Sequence, residues 1–537
     1  MTTSKNQNPI LKGFNPDPSI VRVGEDYYVA TSTFEWYPGV QIHHSRDLVN
    51  WRVVAQPLNR ADLLDLTGNP DSCGVWAPCL SYDDGLFYLI YTDVKRHCSS
   101  FKDAHNYLTT CPSIDGSWSP RIYLNSSGFD PSLFHDDGRK WLLNMVWDHR
   151  PRKNPFGGIY LQEYDHRAGV LKGPVTNIFK GTSQGLTEAP HIYKRNGYYY
   201  LVTAEGGTEY EHCMVFARSR SITGPYEIDP HGYFLTSKDD TALPLQRSGH
   251  GDIVETLEGD TYVVHLSSRP LPGTRRSPMG RETAIQMALW GADDWLRLAD
   301  GGNKPNLVLP AVNLPLHPWP RIPEREDFDG NVLPNHFQWL RNPDPSTFMD
   351  LSARPGYLRL YGKQSLGNCF EQALIARRQQ AFCFTATTCI DFVPSTFQQM
   401  AGLVCYYNGH KYHYLYVSSD QENGRHLSVM SCNGDVSMTA HFPLFDLEPD
   451  HNTIKLDDDS TVYLRARVDY SDLRFSWSLD GSTWQELGFL LDYSVISDEA
   501  GKGAGNSFTG AFVGVCCQDI SGQDTLADFD FFEYVEH

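Results

Sequence analysis

The chain has 537 residues, enough for more than one hydrophobic core, because a single core stops growing near ~250–300 residues. Sixty-five acidic residues against forty-five basic ones give a net charge of −20, which disfavours nucleic acid and anionic membranes as partners. The sequence has no run of ~18 apolar residues that would predict a membrane span. Residues 1–9 lack the pattern of a secretion signal, and twelve cysteines without metal-ligand spacing favour reduced thiols, so we expect a cytoplasmic protein.

Five copies of one pattern fill the first 260 residues: an opening residue, a hydrophobic stretch, a turn glycine and a second stretch led by an aromatic residue. The residues at the opening position are Asp17, Ala77, Asp130, Ala189 and His250. The aromatic residues that lead the second stretch are Tyr28, Tyr88, Trp141, Tyr200 and Tyr262. A repeat of 53–61 residues built from short strands is typical of a propeller, so the sequence predicts a five-bladed β-propeller.

Each copy begins with a predicted hairpin. In the first copy it joins Ile20–Val23 to Tyr27–Thr31, and in the third it joins Leu133–His135 to Lys140–Leu143. A second recurring segment is interpreted as an outer strand that ends in a tight turn. Its copies are His44–Trp51, Ser113–Trp118 and Ser219–Tyr226. No stretch shows sustained apolar spacing at 3, 4 and 7 residues, so we expect no long helix.

Prolines cluster between Pro305 and Pro323, Pro310 among them, and predict a stiff, extended connection. Beyond it, apolar residues alternate at period two, which is typical of half-buried strands. The segments that show this alternation are Tyr357–Tyr361, Phe382–Thr387, His413–Val417 and Val462–Val468. We therefore predict an all-β chain with a β-propeller over residues 1–322 and a jelly-roll-like β-sandwich over residues 323–537.

Superposing the repeats brings acidic side chains to one place. If the first strand of each blade lies closest to the propeller axis, the opening residues begin at the mouth of the central channel. Asp17 and Asp130 hold opening positions. Glu188 precedes the opening residue Ala189, and His250 opens the fifth copy. We therefore expect these three acids and His250 to meet, although Asp-Pro-Ser could instead serve only to open a strand, because Asp favours turns.

Three acids in one partly enclosed pocket will not titrate alike, because mutual repulsion and burial raise the pKa of some while hydrogen bonds keep another ionised. Hydrolysis of a glycoside needs that division: a protonated acid at the leaving oxygen and a carboxylate that activates water. Aromatic rings near the repeat openings fit a sugar platform. The candidates are Phe34, Trp76, Phe129 and Trp147. Any one of them could equally be a blade-core residue.

Five short motifs in the same order carry a family resemblance. They are Phe14-Asn15-Pro16-Asp17-Pro18-Ser19, Gly74-Val75-Trp76-Ala77-Pro78, Phe129-Asp130-Pro131-Ser132, Thr187-Glu188-Ala189-Pro190 and Gly280-Arg281-Glu282-Thr283. Together they resemble family 43 of the glycoside hydrolases, specifically its two-domain β-xylosidases. The resemblance covers essentially the whole chain, including Phe508–Gly514 near its end.

The resemblance implies an exo-acting, inverting hydrolase that releases D-xylose from the non-reducing ends of short β-1,4-xylooligosaccharides. Asp17 would be the general base that deprotonates the attacking water. Glu188 would be the general acid that protonates the departing sugar oxygen. Asp130 would hold Glu188 in place and tune its pKa.

The resemblance also implies further binding residues. Arg281 would hold substrate hydroxyls and favour an ionised carboxylate, and Phe508 would reach over from the second domain to wall the pocket. Ala77 and Thr208 are expected among the substrate-binding residues as well. His250 matches a channel-floor histidine that lies beside calcium or another divalent ion in some relatives, although a lone histidine is more often a packed residue. No cofactor is expected to be needed for the chemistry.

Two alternative functions stay open at this point. Xylopyranose and arabinofuranose present similarly placed hydroxyls, so the chain could be an α-L-arabinofuranosidase or a bifunctional enzyme. It could also be a sugar-binding propeller without catalysis, whereas a protein-interaction propeller gives no reason for the acids. The resemblance makes a homo-oligomer, a dimer or tetramer, the expected assembly. The segment Ser268–Gly280 is shorter than expected and could shape subunit contacts or the leaving-group side.

Overall fold

The computed structural model is almost entirely β-structure. It describes residues 7–308, 312–434, 453–456, 460–501 and 507–537. Pro310 of the proline-rich connection lies outside the described residues. The only helical turns among the described residues are two 3-10 turns, Pro345–Thr347 and Tyr493–Val495. The predicted all-β class is therefore confirmed, and within this part of the chain no helix is long and apolar enough to cross a membrane.

Five antiparallel sheets of the first domain form the predicted propeller blades. The strands of blade one, with a short strand inserted before its third, are β1 (Ser19–Val23), β2 (Asp26–Thr31), β3 (Trp36–Tyr37), β4 (Gln41–Ser45) and β5 (Arg52–Ala55). Those of blade two are β6 (Gly74–Asp83), β7 (Leu86–Arg96), β8 (Asp103–Cys111) and β9 (Ile122–Asn125). Those of blade three are β10 (Ser132–Asp136), β11 (Arg139–Trp147), β12 (Phe156–Asp165) and β13 (Val170–Phe179).

The last two blades follow the same plan. The strands of blade four are β14 (Glu188–Arg195), β15 (Tyr198–Glu205), β16 (Cys213–Ser219), β17 (Glu227–Ile228) and β18 (Leu235–Thr236). Those of blade five are β19 (Gln246–Glu255), β20 (Thr261–Ser268), β21 (Glu282–Trp290) and β22 (Leu296–Leu298). The innermost strands contact each other in a ring, since β1 packs on β6 and β19, while β14 packs on β10 and β19. Asn8 helps to close this ring, because its side chain donates to the Ile285 carbonyl at 2.9 Å.

The predicted hairpins are confirmed, with tight turns at Val23–Asp26 and Asp136–Arg139. The prediction of outer strands was wrong for the second recurring segment. After β4 ends at Ser45, the chain turns back, and the hydroxyl and carboxylate of Ser45 and Asp47 accept the backbone N–H groups of the turn. These segments are turns between third and fourth strands because short polar side chains there replace the ladder hydrogen bonds.

All five opening residues share one unusual backbone conformation. Their φ angles are 54° at Asp17, 34° at Ala77, 54° at Asp130, 51° at Ala189 and 42° at His250. Residues other than glycine adopt this left-handed region at a cost on the order of 1–3 kcal/mol, and such strain concentrates at functional sites. The repeated conformation bends the chain before β1 and β10, near the start of β14, and inside β6 and β19, where the strand register shifts.

The second domain is a sandwich of two large sheets. One sheet has the order β25-β26-β38-β28-β33-β34-β35, with β23 on β38 and β36 on β34; the other has the order β3-β24-β27-β37-β29-β30-β31-β32. Its strands are β23 (Arg325–Glu326), β24 (Phe337–Leu340), β25 (Met349–Asp350), β26 (Leu358–Tyr361), β27 (Ala373–Arg378), β28 (Cys383–Asp391), β29 (Gln399–Asn408), β30 (Lys411–Asp420), β31 (Gly424–Asn433), β32 (Ile454–Lys455), β33 (Val462–Asp469), β34 (Asp472–Ser478), β35 (Gln485–Glu486), β36 (Leu491–Asp492), β37 (Phe512–Asp519) and β38 (Leu526–Glu536). The predicted β-sandwich is confirmed.

The two domains share a sheet and a core. Strand β3 lies between two strands of blade one in sequence, yet it pairs with β24 of the sandwich. Trp36 of β3 stacks on Phe512 with ring centroids 3.6 Å apart. Gly280 lets a propeller segment approach a sandwich segment closely, because a Cβ atom at this position would stand 2.2 Å from the Thr509 carbonyl oxygen. The sandwich is thus built into the wall of the propeller, next to the channel mouth.

Candidate active site

A cavity of about 230 Å³ opens at the channel mouth where the acids meet. The predicted site residues that line it are Asp17, Phe34, Trp76, Asp130, Trp147, Glu188, Thr208, His250, Arg281 and Phe508, and the candidate aromatic Phe129 lines it as well. Ala77 is not among the described residues that line the cavity. Three lining residues were missed from the sequence: Lys102, Phe156 and Gly207.

Asp17 is surrounded by groups that favour its charged form. Arg281 donates to its Oδ1 at 2.6 Å and Ser32 donates to its Oδ2 at 2.7 Å. Burial opposes ionisation, but the charge of Arg281 and the hydrogen bond from Ser32 hold the pKa of Asp17 below its usual value. The Ser32 hydroxyl also accepts the backbone N–H of Ala77 at 2.8 Å, so its proton points at the carboxylate. Asp17 is therefore a carboxylate at neutral pH.

Glu188 lies in the opposite environment. Its carboxyl is buried, and among the described residues no hydrogen-bond donor reaches it. Burial and the charge of Asp17 raise its pKa well above the usual range, although Arg281 and Lys102 act in the other direction. The segment before Glu188 is fixed by Glu205 at the end of β15, which accepts the backbone N–H of Thr182 at 2.9 Å and the hydroxyl of Thr187 at 3.0 Å. The geometry therefore supports a protonated acid.

Asp130 lies beside Glu188, and the ionisation of Asp130 depends on the charge of Glu188. Its Oδ2 accepts the backbone N–H of Ala189 at 3.2 Å. Burial and the charges of Glu188 and Asp17 raise the pKa of Asp130 well above its usual value. The two alanines at opening positions thus have a common role, because the Ala77 and Ala189 amides both support an acid from the preceding copy, directly or through Ser32.

His250 is a buried neutral imidazole next to the carboxylate of Asp17. Burial lowers the pKa of His250 to about 4, and its Nδ1 lies 3.6 Å from Asp17 Oδ1. In the described residues no group of three or more His, Cys, Asp or Glu side chains is arranged to hold a metal. Arg281 and Ser32 already donate hydrogen bonds to the two carboxylate oxygens of Asp17. Asp17 and His250 are therefore not arranged to coordinate a metal cation. Metal binding by His250 is therefore unsupported.

Aromatic rings form the apolar wall of the cavity. Trp76 is the centre of this wall, with ring centroids 5.8 Å from Phe34, 5.4 Å from Phe129 and 5.8 Å from Phe508. Aromatic rings offer an apolar surface that suits the C–H face of a sugar. The position of Trp76 next to a repeat opening explains how the sequence identified it.

Lys102 places a cation against this wall. Its ammonium lies 4.5 Å from the centroid of the Trp147 ring and donates to the His97 carbonyl at 3.3 Å. Burial lowers the pKa of Lys102, and the nearby Glu188 carboxyl acts in the other direction. A lysine held between rings close to an acid can bind a sugar hydroxyl and adjust the ionisation of that acid.

Phe508 shows how the sandwich completes the cavity. Its backbone N–H donates to the Ser72 hydroxyl at 3.1 Å, and its carbonyl accepts from Arg281 at 3.0 Å. Its ring lies against Trp76 and, at 6.4 Å, against Phe34. The backbone N–H and the carbonyl of Phe508 are thus both bound to propeller residues. These two bonds explain how a residue of the second domain can form part of the pocket wall.

Comparison with known proteins agrees with this geometry. The model of the family described as "Glycosyl hydrolases family 43" matches residues 6–296, and that of "Beta xylosidase C-terminal Concanavalin A-like domain" matches residues 325–535. The chain belongs to family 43 of the glycosyl hydrolases. Family membership makes this chain an enzyme that hydrolyses glycosidic bonds.

Three relatives of this family 43 enzyme match over nearly its full length. It is 53% identical to the "Xylosidase/arabinosidase 43B" of Humicola insolens, with 99% of this chain and 98% of the relative covered. It is 48% identical to the "Beta-xylosidase" of Bacillus subtilis strain 168, over 98% of this chain and 99% of that one. The solved structure of the xylan beta-1,4-xylosidase from Bacillus halodurans C-125 shares 51% identity and a TM-score of 0.94, covering 99% of this chain and 100% of its own.

Three sequence predictions around the candidate active site are not decided by its geometry. Ala77 supplies only a backbone N–H within the described contacts, so its role in substrate binding stays a prediction. Thr208 lines the cavity, and its carbonyl accepts from Arg247 at 2.8 Å. In the segment Ser268–Gly280, Arg276 binds the Ser494 hydroxyl of the sandwich at 2.6 Å, and Tyr210 donates to the Arg275 carbonyl at 2.7 Å. A role of this segment in subunit contacts is untested.

Proposed function

We propose that this family 43 enzyme is an exo-acting, inverting β-xylosidase that releases D-xylose from the non-reducing ends of short β-1,4-xylooligosaccharides. The observation that supports it most is the division of ionisation in one pocket, where the surroundings lower the pKa of Asp17 and raise that of Glu188. The names of the relatives from Bacillus subtilis and Bacillus halodurans support the xyloside. The cavity of about 230 Å³ is below the ~300–1,000 Å³ of pockets for drug-sized ligands, which favours a single terminal sugar.

Asp17 acts as the general base in this proposal. Its ionised carboxylate takes a proton from a water molecule, and that water attacks the anomeric carbon from the face opposite the leaving group. Arg281 and Ser32 occupy one oxygen each, which fixes the plane of the carboxylate. The configuration at the anomeric carbon is inverted because the water, and no enzyme group, forms the new bond.

Glu188 acts as the general acid. Its buried, protonated carboxyl donates to the glycosidic oxygen as the bond to the anomeric carbon breaks, and the leaving sugar departs neutral. Asp130 keeps this proton available, because a second carboxyl nearby and burial both disfavour the charged pair. Asp130 also orients the strand start through the Ala189 amide.

The anomer of the first product tests this mechanism. Nitrophenyl β-xyloside releases a single xylose, so we expect proton NMR of its hydrolysis to show α-xylose before mutarotation mixes the anomers. First appearance of β-xylose would contradict inversion and the assignment of Asp17. The variant Asp17→Asn, which keeps the side-chain shape, serves as the control and should give no xylose signal above background in the same period.

An arabinofuranosidase activity is the second candidate, because the Humicola insolens relative is named a xylosidase/arabinosidase. Rates on the nitrophenyl β-xyloside and the nitrophenyl α-L-arabinofuranoside separate the two. We expect the xyloside to be preferred, and dominant turnover of the arabinofuranoside would reverse this order. A sugar-binding propeller without catalysis would bind xylobiose and hydrolyse neither compound. A cytoplasmic location, a homo-oligomeric state and a divalent ion in the channel stay predictions from sequence.

A further inference from the structure

Ser72 lies directly behind the aromatic wall, and all of its polar groups are engaged. It is fully buried and has a left-handed φ of 61°. Its hydroxyl accepts the backbone N–H of Phe508 at 3.1 Å. Its carbonyl accepts the indole N–H of Trp76 at 3.0 Å. Its own N–H donates to Glu35 Oε2 at 3.1 Å.

Two of these three bonds are made to residues whose rings line the cavity. Trp76 comes from blade two and Phe508 from the sandwich, and their ring centroids lie 5.8 Å apart in an edge-to-face arrangement. The two residues are far apart in sequence, so their spacing depends on contacts between domains. Ser72 binds the backbone of one and the indole of the other, and therefore relates their positions directly.

The turn that contains Ser72 is itself held from both domains. Glu35 is fully buried, and burial with the nearby Asp71 raises the pKa of Glu35 to about 8. From the sandwich, Arg341 donates to the Asn69 carbonyl at 2.6 Å and to Asp71 Oδ1 at 2.6 Å. The backbone N–H of Arg341 also donates to the Glu35 carbonyl at 3.0 Å. These bonds stabilise a conformation that a serine seldom adopts on its own.

We propose that Ser72 is a positioning residue that sets the spacing between Trp76 and Phe508 and thereby the affinity for the sugar. The inference rests on the proposed xylosidase function. Ser72 does not line the cavity, so it acts through the two rings. The Phe508 carbonyl stays bound to Arg281, and Asp17 keeps its own bonds to Arg281 and Ser32. Loss of the Ser72 hydroxyl should therefore weaken binding and leave the chemical step intact.

The variant Ser72→Ala tests the proposal because it removes only the acceptor of the Phe508 N–H. We expect the KM for nitrophenyl β-xyloside to rise on the order of fivefold, the worth of about one neutral hydrogen bond, while kcat changes by less than about twofold. In a Phe508→Ala background, where no ring is left to position, Ser72→Ala should add less than about twofold. Ser277→Ala is the matched control, since the buried Ser277 hydroxyl has no hydrogen-bond partner among the described residues, and it should leave KM unchanged.

The outcomes separate the inference from the function. An unchanged KM in Ser72→Ala, a fall in kcat alone, or a full additional effect in the Phe508→Ala background would each overturn the positioning role. If Ser72→Ala does not fold, Ser72→Gly also lacks the hydroxyl and tolerates the φ of 61°, and the same results are expected of it. Absence of xyloside hydrolysis by the unaltered enzyme would refute the proposed function instead.

Discussion

Asp17 and Glu188 are both buried carboxylic acids in one cavity, but the two sides of that cavity treat them differently. On the Asp17 side, Arg281 and Ser32 donate hydrogen bonds of 2.6 and 2.7 Å to the carboxylate. On the Glu188 side, the carboxyl has a second acid beside it and no donor among the described residues. Hydrogen bonds therefore offset the cost of burying a charge at Asp17, whereas at Glu188 only the more weakly acting charges of Arg281 and Lys102 oppose burial.

This difference shows how one pocket can supply a base and an acid at the same pH. The pKa of Asp17 is lowered, so its charged form is lost only as the pH falls through that lowered value. The pKa of Glu188 is raised, so its proton is lost only as the pH rises through that raised value. Between the two values both groups are in the form that hydrolysis needs, and activity should follow a bell-shaped pH profile.

The largest effect is expected from Asp17→Asn. The amide cannot take a proton from water, so kcat should fall by roughly 10²–10⁴-fold on xylobiose and on activated aryl xylosides alike. Steady-state rates on both substrates measure this, with the melting temperature as the control for folding. Activity above about a tenth of the unaltered enzyme would exclude Asp17 as the base.

Glu188→Gln should distinguish the acid side from the base side. Without a proton donor, hydrolysis of xylobiose should fall by roughly 10²–10⁴-fold, because a sugar alkoxide leaves poorly. Dinitrophenyl xyloside has a leaving group that needs no proton, so its rate should fall far less. The ratio of the two losses is the measurement. Equal losses on the two substrates would argue that Glu188 is not the acid.

Arg281→Met removes the cation that favours the charged form of Asp17. We expect the acid limb of the kcat/KM profile to move to higher pH by about 1–3 units, since an adjacent arginine lowers a carboxyl pKa by that amount. Loss of a charged hydrogen bond should also lower kcat/KM about tenfold or more. Arg139→Met, at an exposed arginine bound to Glu163, is the matched control. An unmoved acid limb would contradict the role given to Arg281.

Lys102→Met should give the smallest change, and on the other limb. Lys102 lowers the raised pKa of Glu188, so its removal should shift the alkaline limb to higher pH by less than the acid limb moves in Arg281→Met. Lys172→Met, at an exposed lysine of blade three, controls for net charge. A downward shift, or movement of the acid limb, would place Lys102 on the wrong side of the pocket.

Much of the fold and part of the site could be predicted from the sequence because the repeat is a local pattern. Each hairpin needs only residues close in sequence, and the shared opening position identified Asp17, Asp130 and His250 without any knowledge of the tertiary structure. The two alanine copies looked inert, although their amides support the neighbouring acids. Every residue except proline has a backbone N–H, so the residue type does not reveal which of these groups will support an acid.

The features that were missed depend on contacts between distant segments. Lys102 follows the long strand β7 at a position that no other repeat shares, so nothing in the pattern marks it. Trp36 and Tyr37 resemble blade residues, and only their pairing with β24 assigns them to the sandwich sheet. Phe508 was expected solely through the family resemblance, since its place in the pocket depends on how two domains meet.

The pH profile of Glu188→Gln with dinitrophenyl xyloside tests the opposed ionisation of Asp17 and Glu188 most directly. This substrate does not need the acid, so only the base should remain visible in kcat/KM. We expect the unaltered enzyme to lose activity on xylobiose at alkaline pH. In this experiment that loss should disappear, and the loss at acid pH should persist. Disappearance of the acid limb with survival of the alkaline one would contradict the assignment of the two carboxyl groups.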